Sequence, residues 1–205
     1  MRARPLVGLG GTLCDARVFD PLAARLSRSL AIWPHNQYDR VAAAAAGLLD
    51  AAPEKFVAIG FSLGGFIALE ALRLAPDRLG GVILISGNAF PDNPANAAGR
   101  RQDVATGRVD GLRALMKSRR NTFVSLSCTA VDEIVEVVAA MAEAEGHAVH
   151  ARQAEMNIHR PDFRDVVACS KRPILALVGQ DDMLCPRERY LDLQHAPTAR
   201  LTLIE

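Results

Sequence analysis

In the run Ile59-Gly60-Phe61-Ser62-Leu63-Gly64, one hydroxyl has a glycine two residues before it and another two residues after it, with Gly65 adding further clearance. That spacing suits one kind of turn, in which a strand stops and a helix starts with no loop between them. The turn is so tight that larger side chains at the flanking positions would collide. It lifts the serine oxygen clear of the backbone. The N–H of Leu63 then opens the helix and points to where a carbonyl oxygen gains negative charge during acyl transfer. The short pattern arises by chance in many chains, so its surroundings decide its weight. Here residues 56–61 form an apolar run of strand type and residues 63–74 carry helical apolar spacing, the context this chemistry requires. Ser62 is the candidate nucleophile.

Two other places could do chemistry. Gly8, Gly10 and Gly11 let a backbone approach a bound group closely, but neither the Lys-Ser/Thr ending of a phosphate loop nor the G-x-G-x-x-G spacing of a dinucleotide loop is present. Gly179-Gln180-Asp181-Asp182 follows a late apolar run, where an aspartate could orient a base or simply cap the next turn.

The elements that must position these residues are readable from periodicity. Strands are expected at 5–9, 30–33, 56–61, 82–86, 174–178 and 200–204. Helices are expected at 19–30, where Phe19, Leu22, Leu26 and Leu30 share a face, and at 41–51, 63–74 and 187–193. This alternation implies an α/β fold, a doubly wound and mostly parallel sheet of about six strands, with ligands at the carboxyl ends of the strands. Residues 88–167 break the rhythm and read as helices, including 130–144, bracketed by Pro91, Pro94, Pro161 and Pro173. The expectation is a core of residues 1–87 and 168–205 carrying an inserted helical cap of residues 88–167. The alternative is one continuous α/β domain.

Composition narrows the partners. With 205 residues, half of them apolar, the chain can bury one sizeable core. A net charge of +1 without a basic run argues against nucleic acid or an anionic membrane surface, leaving a small molecule as the expected partner. Cys14, Cys128, Cys169 and Cys185 are scattered without a C-x-x-C pair, so free thiols in a reducing cytoplasm are expected and a metal site is not. The opening Met1-Arg2-Ala3-Arg4 imitates a leader, but the glycines that follow and Asp15 fit a buried first strand better. No stretch has the length of a membrane span.

With these features in place, the chain resembles the α/β-hydrolase fold superfamily, in particular small capped bacterial esterase-like members. The residues carrying the resemblance are Gly10-Gly11-Thr12-Leu13-Cys14-Asp15-Ala16-Arg17, the Ser62 turn, Ile158-His159-Arg160-Pro161-Asp162, and the run from Pro173 to Asp182. Gly10 stands where relatives usually carry Pro or His. The resemblance implies that the Thr12 N–H joins that of Leu63 in an oxyanion hole, with Leu9 as the shifted-register alternative. It also implies Asp182 as the triad acid, with Asp181 as the fallback.

The resemblance further places a histidine on a loop after the last strand. The only histidine late in the chain, His195, precedes that strand, and His35, His147, His150 and His159 serve the role poorly. The catalytic base is therefore expected beyond Glu205 and the sequence is expected to be a fragment.

The function so implied is a serine hydrolase of carboxylic esters or thioesters, working through an acyl-enzyme without a cofactor. Alternatives are a non-catalytic small-molecule binder or inactive fragment on the same fold, or a carbon–carbon bond hydrolase, lactonase or cofactor-free lyase. Leu112, Leu115, Met116, Phe123 and Leu126 with Lys117, Arg119 and Arg120 would give the cap either a packing surface or a wall for a substrate with an apolar body and an acidic group.

Overall fold

In the computed structural model, which describes residues 4–125, 127–190, 193 and 196–205, the apolar runs become β1 (Leu6–Leu9), β2 (Leu30–Ile32), β3 (Phe56–Phe61), β4 (Leu79–Ile85), β5 (Ile174–Gly179) and β6 (Ala199–Ile204). They form one sheet in the order β2-β1-β3-β4-β5-β6, with every neighbouring pair parallel. The chain runs outward from β1 to β2 and then returns across β1 to β3. The connections after β1 and β3 therefore leave in opposite directions, and in a sheet of this topology ligands bind at the carboxyl ends of those strands.

Successive strand residues face opposite layers, as the two-residue period of a strand requires. Val7, Leu9, Phe56, Ala58, Val82 and Leu84 pack in one cluster with α2 (Val41–Ala51) and α3 (Leu63–Leu74). Leu6, Val57, Ile59, Phe61, Ile83 and Ile85 face the other side, towards Phe19, Leu22 and Leu26. The helix α3 is buried over most of its circumference, Ile67, Ala68, Leu69 and Ala71 having no exposed surface. Its start is thereby fixed against the sheet.

One expected helix is shorter than the periodicity suggested. Residues 19–30 are not one helix: a 3-10 turn (Ala16–Phe19) leads into α1 (Asp20–Ala23), which then ends. Leu30 belongs to β2 and pairs with Leu6, so the sheet claims the residue that completed the apolar face, and Ser27 and Ser29 favour the turn between. Of residues 187–193, Arg187–Tyr190 form a 3-10 turn, and residues 191 and 192 lie outside the described residues. The strand β4 begins at Leu79, three residues before the expected 82, because Leu79 and Gly81 pair with Phe56 and Val57 across a register shift.

Between β4 and β5 stand α4 (Asn96–Asp110), α5 (Leu112–Ser118), α6 (Arg120–Phe123), α7 (Val131–Glu145), α8 (His147–Ile158) and α9 (Arg164–Ala168). Leu112, Leu115, Met116, Ala139, Ala142 and Val149 bury one another around Leu13, a residue of the loop after β1. Leu126 lies outside the described residues.

The base of this helical stretch is tied to the rest of the chain. The Phe163 N–H donates to the Ala89 carbonyl at 2.8 Å. The buried Asp92 carboxylate takes Arg100 at 2.7 Å and Arg160 at 3.1 Å, and the Arg160 guanidinium lies 4.6 Å over the Phe66 ring. Burial works to raise the Asp92 pKa, but the two guanidiniums outweigh it and hold the carboxyl below its usual range.

Candidate active site

Ser62 is the residue between β3 and α3, with φ +49° and ψ −112°. A left-handed φ on a residue with a Cβ is strained and persists only where the surroundings hold it. Here the Ser62 N–H donates to the Ile85 carbonyl at 2.9 Å and its own carbonyl accepts from the Gly65 N–H at 2.9 Å. The hydroxyl makes no capping bond to the helix. The flanking glycines are required by close approach. A Cβ on Gly60 would lie 2.5 Å from the Gly64 carbonyl oxygen and from the Gly65 nitrogen. One on Gly64 would be driven into the Leu9 carbonyl and would stand 2.7 Å from the Gly10 carbonyl oxygen. The same contact seats the start of α3 against the loop that follows β1.

In that loop the Cys14 N–H closes a turn on the Gly11 carbonyl at 3.2 Å, and Leu13 takes φ +56°. Among the described residues the Thr12 N–H has no backbone acceptor. Leu63 is the first residue of α3, so its N–H is one of those a helix leaves without an internal acceptor. Leu9, the shifted-register alternative, lies within β1 opposite Gly60. Burial pushes the neighbouring Cys14 thiol up to about 12.

Asp182 lies three residues beyond β5, and its N–H donates to the Gly179 carbonyl at 3.1 Å. Its Oδ1 accepts from the N–H groups of Leu184 at 3.0 Å and Cys185 at 2.7 Å, so it caps the turn, while Oδ2 has no hydrogen bond among the described residues. Asp181 is engaged elsewhere: its Oδ2 accepts from the Ser125 hydroxyl at 2.7 Å. Ser62 and Asp182 thus follow two strands separated by β4 alone, at the same edge of the sheet. The axes of those strands are about 10 Å apart.

Among the described residues no histidine hydrogen-bonds to Ser62 or Asp182. His35 follows β2, is buried with neither ring nitrogen partnered, and burial lowers its pKa to about 4. His147 opens α8. His150, buried within the same helix, is also shifted down by burial. His159 stands 3.2 Å from Glu155, and His195 lies outside the described residues.

Sequence reasoning missed two residues at this site. Gln153 Oε1 accepts the Leu13 N–H at 2.7 Å, and Asn157 Nδ2 donates to Thr12 Oγ1 at 3.0 Å. Their i, i+4 spacing on α8 was visible in the sequence, but a polar pair at that spacing is ordinary on a helix. Among the described residues no group of His, Cys, Asp and Glu could hold a metal ion, and no helix is long and apolar enough to cross a membrane.

A parallel sheet with a strained serine between its third strand and the following helix defines a class, and comparison with known proteins agrees. Residues 8–205 match the model of the alpha/beta hydrolase family, to which the chain belongs. A thermophilic esterase from Thermogutta terrifontis has a similar structure, with a TM-score of 0.83 at 24% identity, covering 98% of this chain and 81% of that one. The enol-lactonase from Burkholderia xenovorans LB400 superposes with a TM-score of 0.82 at 18% identity over 100% of this chain and 84% of that one. An esterase from Exiguobacterium antarcticum gives 0.81 at 16% identity over 99% and 84%. At these identities the likeness is one of fold. No curated protein matches the sequence.

Proposed function

We propose that the protein is a serine hydrolase of small-molecule carboxylic esters or thioesters. The observation that carries this reading is Ser62 itself, held at φ +49° between β3 and α3 with its hydroxyl unspent on the helix it caps. In this reading Ser62 Oγ attacks the carbonyl carbon, and the N–H groups of Thr12 and Leu63 hold the oxyanion as the tetrahedral intermediate forms. A base oriented by Asp182 takes the serine proton and returns it to the leaving alkoxide or thiolate. Water then adds to the acyl-enzyme by the same route and releases the acid. Residues 88–167 act as the cap and set which substrates reach Ser62.

A fluorophosphonate probe tests the reading. It is expected to modify the peptide carrying Ser62 in the parent and nothing in Ser62→Ala. A parent whose Ser62 stays unmodified while small esters still bind would favour a binding protein on this fold.

A further inference from the structure

Two carboxamides from α8 grip the loop that carries Thr12, 140 and 145 residues earlier in the chain. Gln153 and Asn157 are one helical turn apart on one face of α8, and both are buried, at 1% and 6% exposure. Besides bonding the Thr12 hydroxyl, Asn157 Nδ2 donates to the main-chain carbonyl of Gln153 at 3.0 Å, which holds the Asn157 side chain against its own helix. On the loop side, Gly10 and Gly11 bring little conformational preference of their own. Leu13 holds a left-handed φ of +56°, a conformation an L residue keeps only when its neighbours impose it. Around it the Leu13 N–H donates to Gln153 and the Cys14 N–H closes the turn on the Gly11 carbonyl. The bond to Gln153 also removes Leu13 as an oxyanion donor, whereas the Thr12 N–H has no acceptor among the described residues.

We propose that Gln153 and Asn157 are positioning residues for the hydrolysis. They hold the loop so that the Thr12 N–H faces the same point as the Leu63 N–H, and thereby couple the seating of α8 to the readiness of the oxyanion donors. This rests on the hydrolase reading above and adds two residues to it.

The test uses Gln153→Met, which keeps the shape and removes the strong acceptor. Exchange of the Leu13 amide with deuterium is expected to quicken roughly five- to tenfold, the loss of one ordinary hydrogen bond. Exchange in β3 and elsewhere in α8 is expected to stay at the parent rate. The limiting rate of Ser62 modification by a fluorophosphonate is expected to fall by a similar factor, with the half-saturating probe concentration unchanged. Gln153→Glu, which retains an acceptor oxygen, is expected to restore the Leu13 protection.

Asn157→Leu combined with Thr12→Val supplies an independent arm: the double variant is expected to lose no more than Asn157→Leu alone, because the bond Thr12→Val removes is already gone in Asn157→Leu. Unchanged Leu13 exchange in Gln153→Met, or quickening spread equally through β3 and α8, would overturn the proposal. If the parent Ser62 does not react at all, the hydrolase reading fails, whereas the Leu13 exchange still decides the clamp.

Discussion

Replacing Gly64 with alanine perturbs the contact on which the site is built. The added Cβ would stand 2.7 Å from the Gly10 carbonyl oxygen and collide outright with that of Leu9. A carbon–oxygen contact relaxes at about 3.3–3.6 Å, so the loop and the start of α3 must separate by at least roughly 0.6 Å. Both obstacles are backbone, which cannot rotate aside as a side chain would. The cost therefore falls near the top of the range for overpacking, about 3 kcal/mol. The better helix propensity and lower unfolded-state entropy of alanine return about 1 kcal/mol. The net loss of about 2 kcal/mol lowers the melting temperature by roughly 4–8 °C in a domain of this size.

The control is Gly99→Ala, inside α4 with nothing within 4 Å of the new Cβ, which is expected to stabilise by about 0.5–1 kcal/mol. Thermal unfolding followed by circular dichroism reads both. A Gly64→Ala protein that melts at or above the parent would refute the packing argument.

Asp92→Ala leaves the Arg160 guanidinium, 9% exposed, without its carboxylate, and is expected to cost about 3 kcal/mol in urea unfolding. A loss within about 0.5 kcal/mol, the size of an ordinary surface change, would show that the cluster is not structural. His35 has a pKa of about 4 in the folded chain against an ordinary 6.5, so between those values the unfolded chain binds the extra proton. Stability is therefore expected to fall as pH drops through that window, by on the order of 3 kcal/mol, and His35→Leu is expected to flatten the slope; equal slopes in parent and variant would contradict this. Cys14, its thiol held protonated by burial, is expected to resist iodoacetamide at neutral pH while exposed Cys169 reacts, as peptide mass mapping would read.

What could be read from the sequence was what is decided locally. The strand at residues 56–61, the strained serine and the helix at 63–74 depend on neighbours within a few positions, and the structure has them with the same limits. The start of β4 was hidden because Gly80 and Gly81 interrupt the apolar run, although Gly81 pairs with Val57 like any strand residue. The apolar face of residues 19–30 was real, since Phe19, Leu22, Leu26 and Leu30 do pack together, but they do so from a 3-10 turn, a short helix, the loop after it and a strand. Long-range pairing overrode periodicity there. The roles of Gln153 and Asn157 were not legible at all, because their meaning comes from Thr12 and Leu13, on a distant loop brought to α8 only by the fold.

The central claim is that Ser62 attacks a carbonyl carbon, and trapping the resulting ester tests it most directly. The protein is mixed with a nitrophenyl acetate, quenched in acid and digested, and the peptide carrying Ser62 is weighed. The account predicts that this peptide gains the mass of one acetyl group, that fragmentation places it on Ser62, and that Ser62→Ala shows no such gain. Acetyl on another side chain with Ser62 untouched, or an equal gain in Ser62→Ala, would contradict it.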